Sequence, residues 1–298
     1  MSAFDLDAYL ASRRQMVDAA LEQALPPEDT PPATVHRAMR YSVFAGGKRL
    51  RPILVIAGAE AVGGSLQRVM PTACALECIH TYSLIHDDLP AMDDDDFRRG
   101  RPTSHKVFGE ALAILAGDGL LTLAFRLIAD NGATLADPPV LRDVIAEVAD
   151  AAGTLGMVGG QVVDIESEGR KIPAETLEYI HAHKTAALIR ASLTSGARLA
   201  GATPGQLAAI SAAGAHLGLA FQIVDDILDV EGSLAELGKT AGSDQRKQKA
   251  TYPEYHGLEA SRVKAKTLIE DSKAALAPLG PAAEPIRALA DFVFERRS

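Results

Sequence analysis

Apolar residues recur every three or four positions along most of the chain, a spacing that is typical of amphipathic α-helices. Gly and Pro fall between most of these segments, where helices begin and end. No segment alternates apolar and polar residues as a strand does, and no βαβ rhythm is present. The pattern predicts an all-α chain with helices at 3–24, 33–44, 52–62, 67–89, 109–132, 140–164, 174–200, 204–231, 259–277 and 283–296.

No low-complexity linker divides these helices, so residues 1–298 are predicted to form one domain. The least regular stretch, 232–257, is predicted to be a functional loop rather than a domain boundary. Two apolar segments, 111–129 and 207–224, are long enough to suggest membrane spans. The first contains charged residues and the second runs directly into Asp225, so both are predicted to be core helices and no membrane span is expected.

The composition narrows the possible functions. The chain has 47% hydrophobic residues but only 5% aromatic residues and no Trp, so aliphatic side chains must fill a large core. A net charge of −9 argues against nonspecific nucleic-acid binding, which needs a basic surface. It does not exclude a phosphate ligand, because a bound metal ion reverses the local electrostatic field.

Cys74 and Cys78 lie four residues apart and therefore on one helix face. With no second Cys pair they are predicted to be buried thiols rather than zinc ligands. The acidic, amphipathic start of the chain is unlike a signal peptide, and two cysteines suit a reducing compartment. These features predict a cytoplasmic location.

An acid cluster near residue 225 sits within an otherwise apolar helix. Asp225 and Asp229 are four residues apart, so their carboxylates lie one helical turn from each other, with Asp226 beside them. Like charges at this spacing repel, and a cation between them would remove the repulsion. Hard carboxylate oxygens are the ligands that Mg²⁺ prefers.

The first acid cluster in chain order begins at Asp87 and Asp88 and continues as a run of four Asp residues at 93–96, so the cluster near residue 225 is the second acid cluster. Pro90 lies between the two parts and should end or distort the helix, so the segment at 89–92 is predicted to bulge. The spacing alone leaves open whether Asp93 or Asp94 would be a metal ligand. Two acid clusters, each close to basic residues, predict a cage in which Mg²⁺ ions bridge to a diphosphate.

The order of these motifs resembles that of the short-chain trans-prenyl diphosphate synthases, and among them the bacterial farnesyl diphosphate synthases. The resemblance covers nearly the whole chain. It rests on Gly46-Gly47-Lys48-Arg49-Leu50-Arg51-Pro52, Asp87-Asp88 and Asp93 with Arg98-Arg99, Gly159-Gly160-Gln161, Lys184-Thr185, and Phe221-Gln222 with Asp225-Asp226 and Asp229.

The resemblance implies a single-domain helical bundle of the isoprenoid synthase type with a deep central cavity, a homodimer, and three Mg²⁺ ions. It implies head-to-tail condensation of isopentenyl diphosphate with an allylic diphosphate. By the same resemblance, Asp87 and Asp93 would hold two ions and Asp225 the third, with support from Asp88, Asp226 and Asp229. The allylic diphosphate would be bound by Arg98, Lys184, Lys239 and Lys249, and isopentenyl diphosphate by Lys48, Arg51, His80 and Arg99.

Ionising an allylic C–O bond requires neutralisation of the departing diphosphate, which cations supply where the charge develops. The resulting carbocation needs nearby oxygen dipoles, and the Thr185 hydroxyl, the Lys184 carbonyl and Gln222 resemble the groups that have this role in the family. No protein nucleophile is expected. The resemblance also implies that the released diphosphate removes the final proton.

The product length is predicted from the helix that carries the first acid cluster. A growing chain should extend from Asp87 along this helix and meet the side chain four or five residues upstream. Tyr82 lies five residues before Asp87, with Ser83 beside it, and a Tyr ring would block elongation. In the family, an aromatic residue at this place, combined with a gap of four residues between the Asp pair and the next Asp, marks bacterial farnesyl synthases, so a C15 product is predicted. A geranylgeranyl or longer-chain synthase is the alternative.

Other classes of protein fit the sequence less well. A terpene cyclase would lack a second diphosphate site, whereas this chain has Lys48 and Arg51. A regulatory subunit of a heteromeric synthase would be expected to lose its acid clusters. A di-iron helical bundle would need Glu and Glu-x-x-His ligands, and the chain offers Asp clusters beside basic residues instead.

Overall fold

The computed structural model describes residues 4–133, 138–231 and 250–296. These residues form an all-α assembly with one very short hairpin, which confirms the predicted fold class. The helices are α1 (Leu6–Ala24), α2 (Ala33–Val43), α3 (Leu50–Glu60), α4 (Leu66–Asp87), α5 (Ser104–Phe108), α6 (Glu110–Asp130), α7 (Pro138–Ala152), α8 (Met157–Ser167), α9 (Ala174–Ile180), α10 (Ala187–Leu199), α11 (Pro204–Glu231), α12 (Tyr252–His256), α13 (Leu258–Ala275) and α14 (Glu284–Glu295).

Two long predicted helices are interrupted. The segment predicted as 140–164 divides into α7 and α8, and the break contains Gly153 and Gly156. The segment predicted as 174–200 contains a π-helical stretch at His181–Ala186 between α9 and α10. Single turns of π-helix are rare and frequently occur at functional sites.

The hairpin was not predicted, because each strand has only two residues. Strand β1 (Phe97–Arg98) pairs antiparallel with β2 (Arg101–Pro102). Between them Arg99 and Gly100 both have positive φ, at 53° and 73°, which is the combination that a type I′ turn requires. Two 3₁₀-helical segments lie at Asn131–Ala133 and Ala277–Ala283.

The central helices pack in the spatial order α6, α4, α3, α10, α11 and α13. Helices α3 and α10 approach closely because both carry glycine at the crossing. A Cβ atom on Gly58 would overlap the carbonyl oxygen of Leu193, and one on Gly196 would overlap that of Val55. This close packing fixes α4 and α11 on the two sides of the α3–α10 pair.

The long apolar helices α6 and α11 meet the length and composition of a membrane span, as the sequence indicated. Both nevertheless pack within the assembly, α6 against α4 and α2, and α11 against α13 and α10. Cys74 and Cys78 are buried in α4, which confirms the predicted buried thiols, and the burial raises the pKa of the Cys74 thiol to about 12. The core is otherwise built from aliphatic residues, as the composition predicted.

Candidate active site

A cavity of about 590 Å³ opens between α4, α8, the π-helical stretch and α11. Asp87 reaches it from the end of α4 and Asp225 from α11. The two acid clusters therefore line one cavity, although Asp87 and Asp225 are 138 positions apart in the sequence. This juxtaposition is the arrangement that the sequence predicted.

The first acid cluster is shaped by the end of α4. The helix ends at Asp87, three residues before Pro90, and the chain then turns back. The backbone N–H of Asp93 donates to the carbonyl oxygen of Asp87 at 2.7 Å, which brings the two residues together despite their non-helical spacing. Asp94 has a φ of 52° and lies beside Asp96 and His105 instead of lining the cavity. The geometry thus favours Asp93 over Asp94 as the residue that faces the cavity.

Asp88 lies beside Asp87 but is almost fully buried and faces the hairpin. The guanidinium of Arg98 binds its carboxylate through two nitrogens, with Nη2 at 2.6 Å and Nε at 2.8 Å from Oδ1. Burial raises the pKa of Asp88 and the Arg98 charge opposes this effect. Strand β1 of the hairpin therefore places Arg98 at the cavity edge, where Asp88 holds it.

A second pocket of about 650 Å³ adjoins the first and carries an excess of positive charge. It is lined by Lys48, Arg51, His80 and Arg99, and by Arg296 from the end of the chain. Arg51 and His80 line both pockets. The four residues that the sequence predicted for one substrate are thus brought together.

Burial, together with repulsion between neighbouring cations, lowers the pKa of several bases that line this pocket. Burial lowers the pKa of Arg51 to about 10, and the Arg99 charge acts in the same direction. Burial and the charges of Arg51 and Arg99 also lower the pKa of His80 well below its usual range. The Nε of Arg51 is buried with no hydrogen-bond partner in the described part of the chain. Such a pocket favours an anion, because an anion would offset both the repulsion and the missing hydrogen bond.

Glycines at the start of the basic motif make room for Arg99. A Cβ atom on Gly47 would lie 2.6 Å from Nη1 of Arg99, and that nitrogen donates to the carbonyl oxygen of Gly46.

Lys48 extends over the ring of Phe292, with its Nζ 5.6 Å from the ring centroid. Burial lowers the pKa of the Lys48 amine, and the nearby Arg296 adds to this effect.

The π-helical stretch orients Lys184 and Thr185 toward the first cavity. Lys184 Nζ lies 2.6 Å from Oδ2 of Asp164 on α8, and a Cβ atom on Gly160 would overlap the Lys184 backbone nitrogen. Gly160 is therefore needed for the close contact between α8 and this stretch. Thr185 Oγ1 donates to Oε1 of Gln222 at 2.7 Å.

Asp226 anchors the other end of this hydrogen-bond chain. Its Oδ1 accepts from Nε2 of Gln222 at 3.0 Å, and its Oδ2 accepts from the Tyr252 backbone N–H at 2.8 Å. Nε2 of His181 lies 3.2 Å from the same Oδ2. Asp226 thus fixes the Gln222 amide so that its oxygen faces Thr185, while Asp225, with a side chain 41% exposed, faces the cavity.

Tyr82 lies at the predicted place for a cavity floor. Its side chain is buried and lines the first cavity together with Ser83, whose hydroxyl donates to the His80 carbonyl oxygen at 2.9 Å. Burial raises the pKa of Tyr82 to about 12, and the Asp87 charge contributes. The ring is therefore a neutral, bulky wall five residues before Asp87.

Two of the predicted site residues lie outside the described part of the chain, and two residues at the site were not predicted. Lys239 and Lys249 lie outside the described residues. Arg296 and His181 were not singled out from the sequence. The basic end of the chain was the available signal for Arg296, and the close spacing of His181 to Lys184 was the signal for the histidine.

The sequence profile of the family described as polyprenyl synthetase matches residues 32–277. The chain belongs to the polyprenyl synthetase family. It is 48% identical to the farnesyl diphosphate synthase of Geobacillus stearothermophilus over 264 residues, which covers 89% of each protein. It is 46% identical to the geranylgeranyl diphosphate synthase of Cyanophora paradoxa over 296 residues, covering 99% of this chain and 98% of that protein.

The fold also matches that of solved members of the polyprenyl synthetase family. The crystal structure of geranylgeranyl pyrophosphate synthetase from Pyrococcus horikoshii superimposes with a TM-score of 0.88 at 31% identity, covering 98% of each chain. The protein is accordingly an enzyme, a prenyltransferase of the trans-prenyl diphosphate synthase kind. The relatives carry both farnesyl and geranylgeranyl names, so family membership alone leaves the product length open.

Proposed function

We propose that this polyprenyl synthetase is a (2E,6E)-farnesyl diphosphate synthase, a geranyltranstransferase of isoprenoid biosynthesis. It would join isopentenyl diphosphate head to tail to geranyl diphosphate, and also to dimethylallyl diphosphate, and release diphosphate. The observation that carries the proposal is that both acid clusters line one cavity whose buried wall is Tyr82, while a cationic pocket adjoins it.

The carboxylates fit Mg²⁺ ions. Asp87, Asp93 and Asp225 supply hard oxygen donors to one cavity. Both carboxylate oxygens of Asp229 are buried without a hydrogen-bond partner among the described residues, a costly arrangement that a cation nearby would relieve. We assign two of three ions to Asp87 and Asp93 and the third to Asp225, with Asp88, Asp226 and Asp229 in support. When bound, the ions would neutralise the diphosphate as its bond to the allylic carbon breaks.

Each of the two pockets would bind one of the two substrates. Arg98 and Lys184, at the acid-cluster cavity, would bind the allylic diphosphate, and we propose the same role for Lys239 and Lys249. Lys48, Arg51, His80 and Arg99 form the adjoining pocket and would bind isopentenyl diphosphate without metal. Since Arg51 and His80 line both pockets, the double bond of the acceptor can face the allylic carbon of the donor.

The carbocation would be stabilised by fixed dipoles rather than by a nucleophile. Thr185 Oγ1 and Gln222 Oε1 are hydrogen-bonded to each other, and Asp226 holds the Gln222 amide in this orientation. With the Lys184 carbonyl they present oxygen atoms to a developing positive charge. The proton lost from the condensed intermediate is proposed to pass to the released diphosphate, so no catalytic histidine is needed.

A C15 product is proposed because the buried Tyr82 ring closes the cavity along α4. The specific alternative is a geranylgeranyl or longer-chain synthase, which the names of several relatives keep open. In that case the hydrocarbon chain would have to pass Tyr82.

We also propose a cytoplasmic homodimer. Support comes from apolar side chains at the start of α6 and just before it, which are exposed in the single chain: Val107 at 46%, Ile114 at 43% and Leu115 at 53%. A second copy covering this face would remove them from water. Sedimentation of the purified protein tests the proposal, and a monomer at micromolar concentration would refute it.

One assay tests the function. The protein is incubated with Mg²⁺, isopentenyl diphosphate and geranyl diphosphate, and the dephosphorylated products are separated by chain length. Farnesyl diphosphate as the main product supports the proposal, and geranylgeranyl diphosphate as the main product supports the alternative. The Asp87→Asn variant, which keeps the side-chain shape, is the control and should lose nearly all of the activity.

A further inference from the structure

His86 occupies a recess in the wall of the catalytic cavity, between the acid cluster and Tyr82. It lies four residues after Tyr82 on α4, one turn closer to Asp87, and both side chains line the cavity. The two rings meet edge to face, with centroids 5.7 Å apart and planes at 78°. A chain growing from Asp87 along α4 must therefore pass His86 before it reaches Tyr82.

The recess exists because α6 carries Gly117 opposite the imidazole. Nε2 of His86 donates to the carbonyl oxygen of Ile114 at 3.1 Å, which holds the ring against the backbone of α6. A Cβ atom on Gly117 would overlap Nε2 and would lie 2.6 Å from Cδ2 and 2.9 Å from Cε1 of the same ring. The imidazole and a side chain at position 117 cannot occupy the same place.

The cavity gives a displaced imidazole room to move into. The backbone of α6 blocks one side of the ring and the Tyr82 ring blocks the next turn of α4. The cavity, which His86 itself lines, is free volume on another side of the ring. A methyl group at position 117 should therefore turn the His86 ring into the path of the growing chain, since a side chain rotates at lower cost than a helix shifts.

We propose that His86 and Gly117 form a second determinant of product length, which sets the width of the cavity above Tyr82 and supports the Tyr82 ring. The inference rests on the proposed function, because it assigns a specificity role at that same site. Tyr82 limits how far the chain extends, whereas the seated imidazole determines whether a chain can reach Tyr82 at all. His86 acts here by steric positioning and takes no part in the chemistry.

The test compares product distributions from dimethylallyl and isopentenyl diphosphates for four variants and the wild type. Gly117→Ala should raise the ratio of C10 to longer products by about tenfold, the scale of discrimination that an apolar pocket achieves for a misfitting group. Gly119→Ala is the matched control on the same helix. Its Cβ would lie 3.2 Å from Sδ of the flexible Met39, on the side facing α2, so its product ratio should stay at the wild-type value.

Two further variants separate the mechanism from general damage to α6. In the double variant His86→Ala with Gly117→Ala the displaced ring is absent, so the excess of C10 product should disappear. His86→Ala alone opens the recess and removes the edge contact of Tyr82, so products longer than those of the wild type should increase. This single variant tests the proposal even if Gly117→Ala does not fold, which its melting temperature will show.

The outcomes are distinct. Equal ratios for Gly117→Ala and Gly119→Ala, or an excess of C10 product that persists in the double variant, would overturn the inference while the proposed function stands. If the wild type forms no prenyl diphosphate from any primer, the proposed function fails and the inference fails with it.

Discussion

The guanidinium of Arg296, close to the end of the chain, lies against the carboxylate of Asp225, with Nη2 3.2 Å from Oδ1. It also stacks over the Phe221 ring, 4.0 Å from the centroid, and donates to the Phe221 carbonyl oxygen. A cation that directly follows α14 therefore sits where the proposed third metal ion would bind. It also lines the cationic pocket, so one side chain connects the two substrate regions.

Replacement of Arg296 by Met should strengthen metal binding to the free enzyme, because Asp225 would no longer be paired. A partly exposed ion pair contributes roughly 0.5–1 kcal/mol, so the Mg²⁺ concentration for half-maximal effect should fall about twofold to fivefold. The measurement is the rise in melting temperature with Mg²⁺ alone, without a diphosphate. Arg126→Met, which breaks the exposed pair with Asp130, is the control and should leave this midpoint unchanged. A higher midpoint for Arg296→Met would contradict the competition.

Removal of the Tyr82 ring should lengthen the product. Tyr82→Ala opens the cavity along α4, and geranylgeranyl diphosphate or longer products should replace most of the farnesyl diphosphate. Tyr82→Phe keeps the ring and loses only the hydroxyl, so its product should remain C15. Chromatography of the dephosphorylated alcohols gives the answer, and an unchanged C15 product from Tyr82→Ala would show that another group forms the floor.

The sequence predicted the helices and the two acid clusters well, because an apolar period and a run of Asp are both local signals. The π-helical stretch at His181–Ala186 was not predicted, since it lies inside a segment whose overall pattern is that of one continuous helix. The β1–β2 hairpin was too short to show an alternating pattern. The pairing of Arg296 with Asp225 joins residues 71 positions apart, so only the packing of α14 against α11 reveals it.

The depressed pKa of His80 predicts two opposite effects of pH. In the free protein His80 stays neutral below 6.5 whereas the unfolded chain takes up a proton there, so the free energy of unfolding should fall as pH drops through this range. A bound diphosphate favours the protonated ring and raises its pKa, so diphosphate affinity should increase over the same drop in pH. His80→Gln should weaken both trends, which urea unfolding and calorimetry at pH 7.0 and about 5.5 would measure.

The control for His80 is His36→Gln, which removes a histidine that hydrogen-bonds to the Thr30 carbonyl oxygen and lines neither of the two substrate pockets. This variant should retain both pH trends. If His80→Gln and the wild type show the same pH dependence of diphosphate affinity, His80 does not respond to the bound anion and its place in the pocket is only structural.

Substitution of the adjacent Asp225 and Asp226 should affect different properties, metal binding for Asp225 and stability for Asp226. Asp226 accepts hydrogen bonds from Gln222 and from the Tyr252 backbone, with His181 beside the same carboxylate. Asp226→Asn places an amide N–H against one of these donors, so it should lower the free energy of unfolding by about 1–3 kcal/mol. Asp225→Asn loses only the partly exposed ion pair with Arg296 and should lower the free energy of unfolding by no more than about 0.5–1 kcal/mol.

For metal binding, Asp225→Asn should have the larger effect and Asp226→Asn the smaller one. Asp225→Asn removes a donor that lines the cavity, so the Mg²⁺ requirement for catalysis should rise much more than in any variant that keeps this carboxylate. Urea unfolding without metal and activity against Mg²⁺ concentration, measured on both variants, separate the two roles. Because the residues are neighbours on one helix, loss of α11 as a whole would harm both properties in both variants. A stable Asp226→Asn protein with a raised Mg²⁺ requirement would instead make Asp226 a ligand.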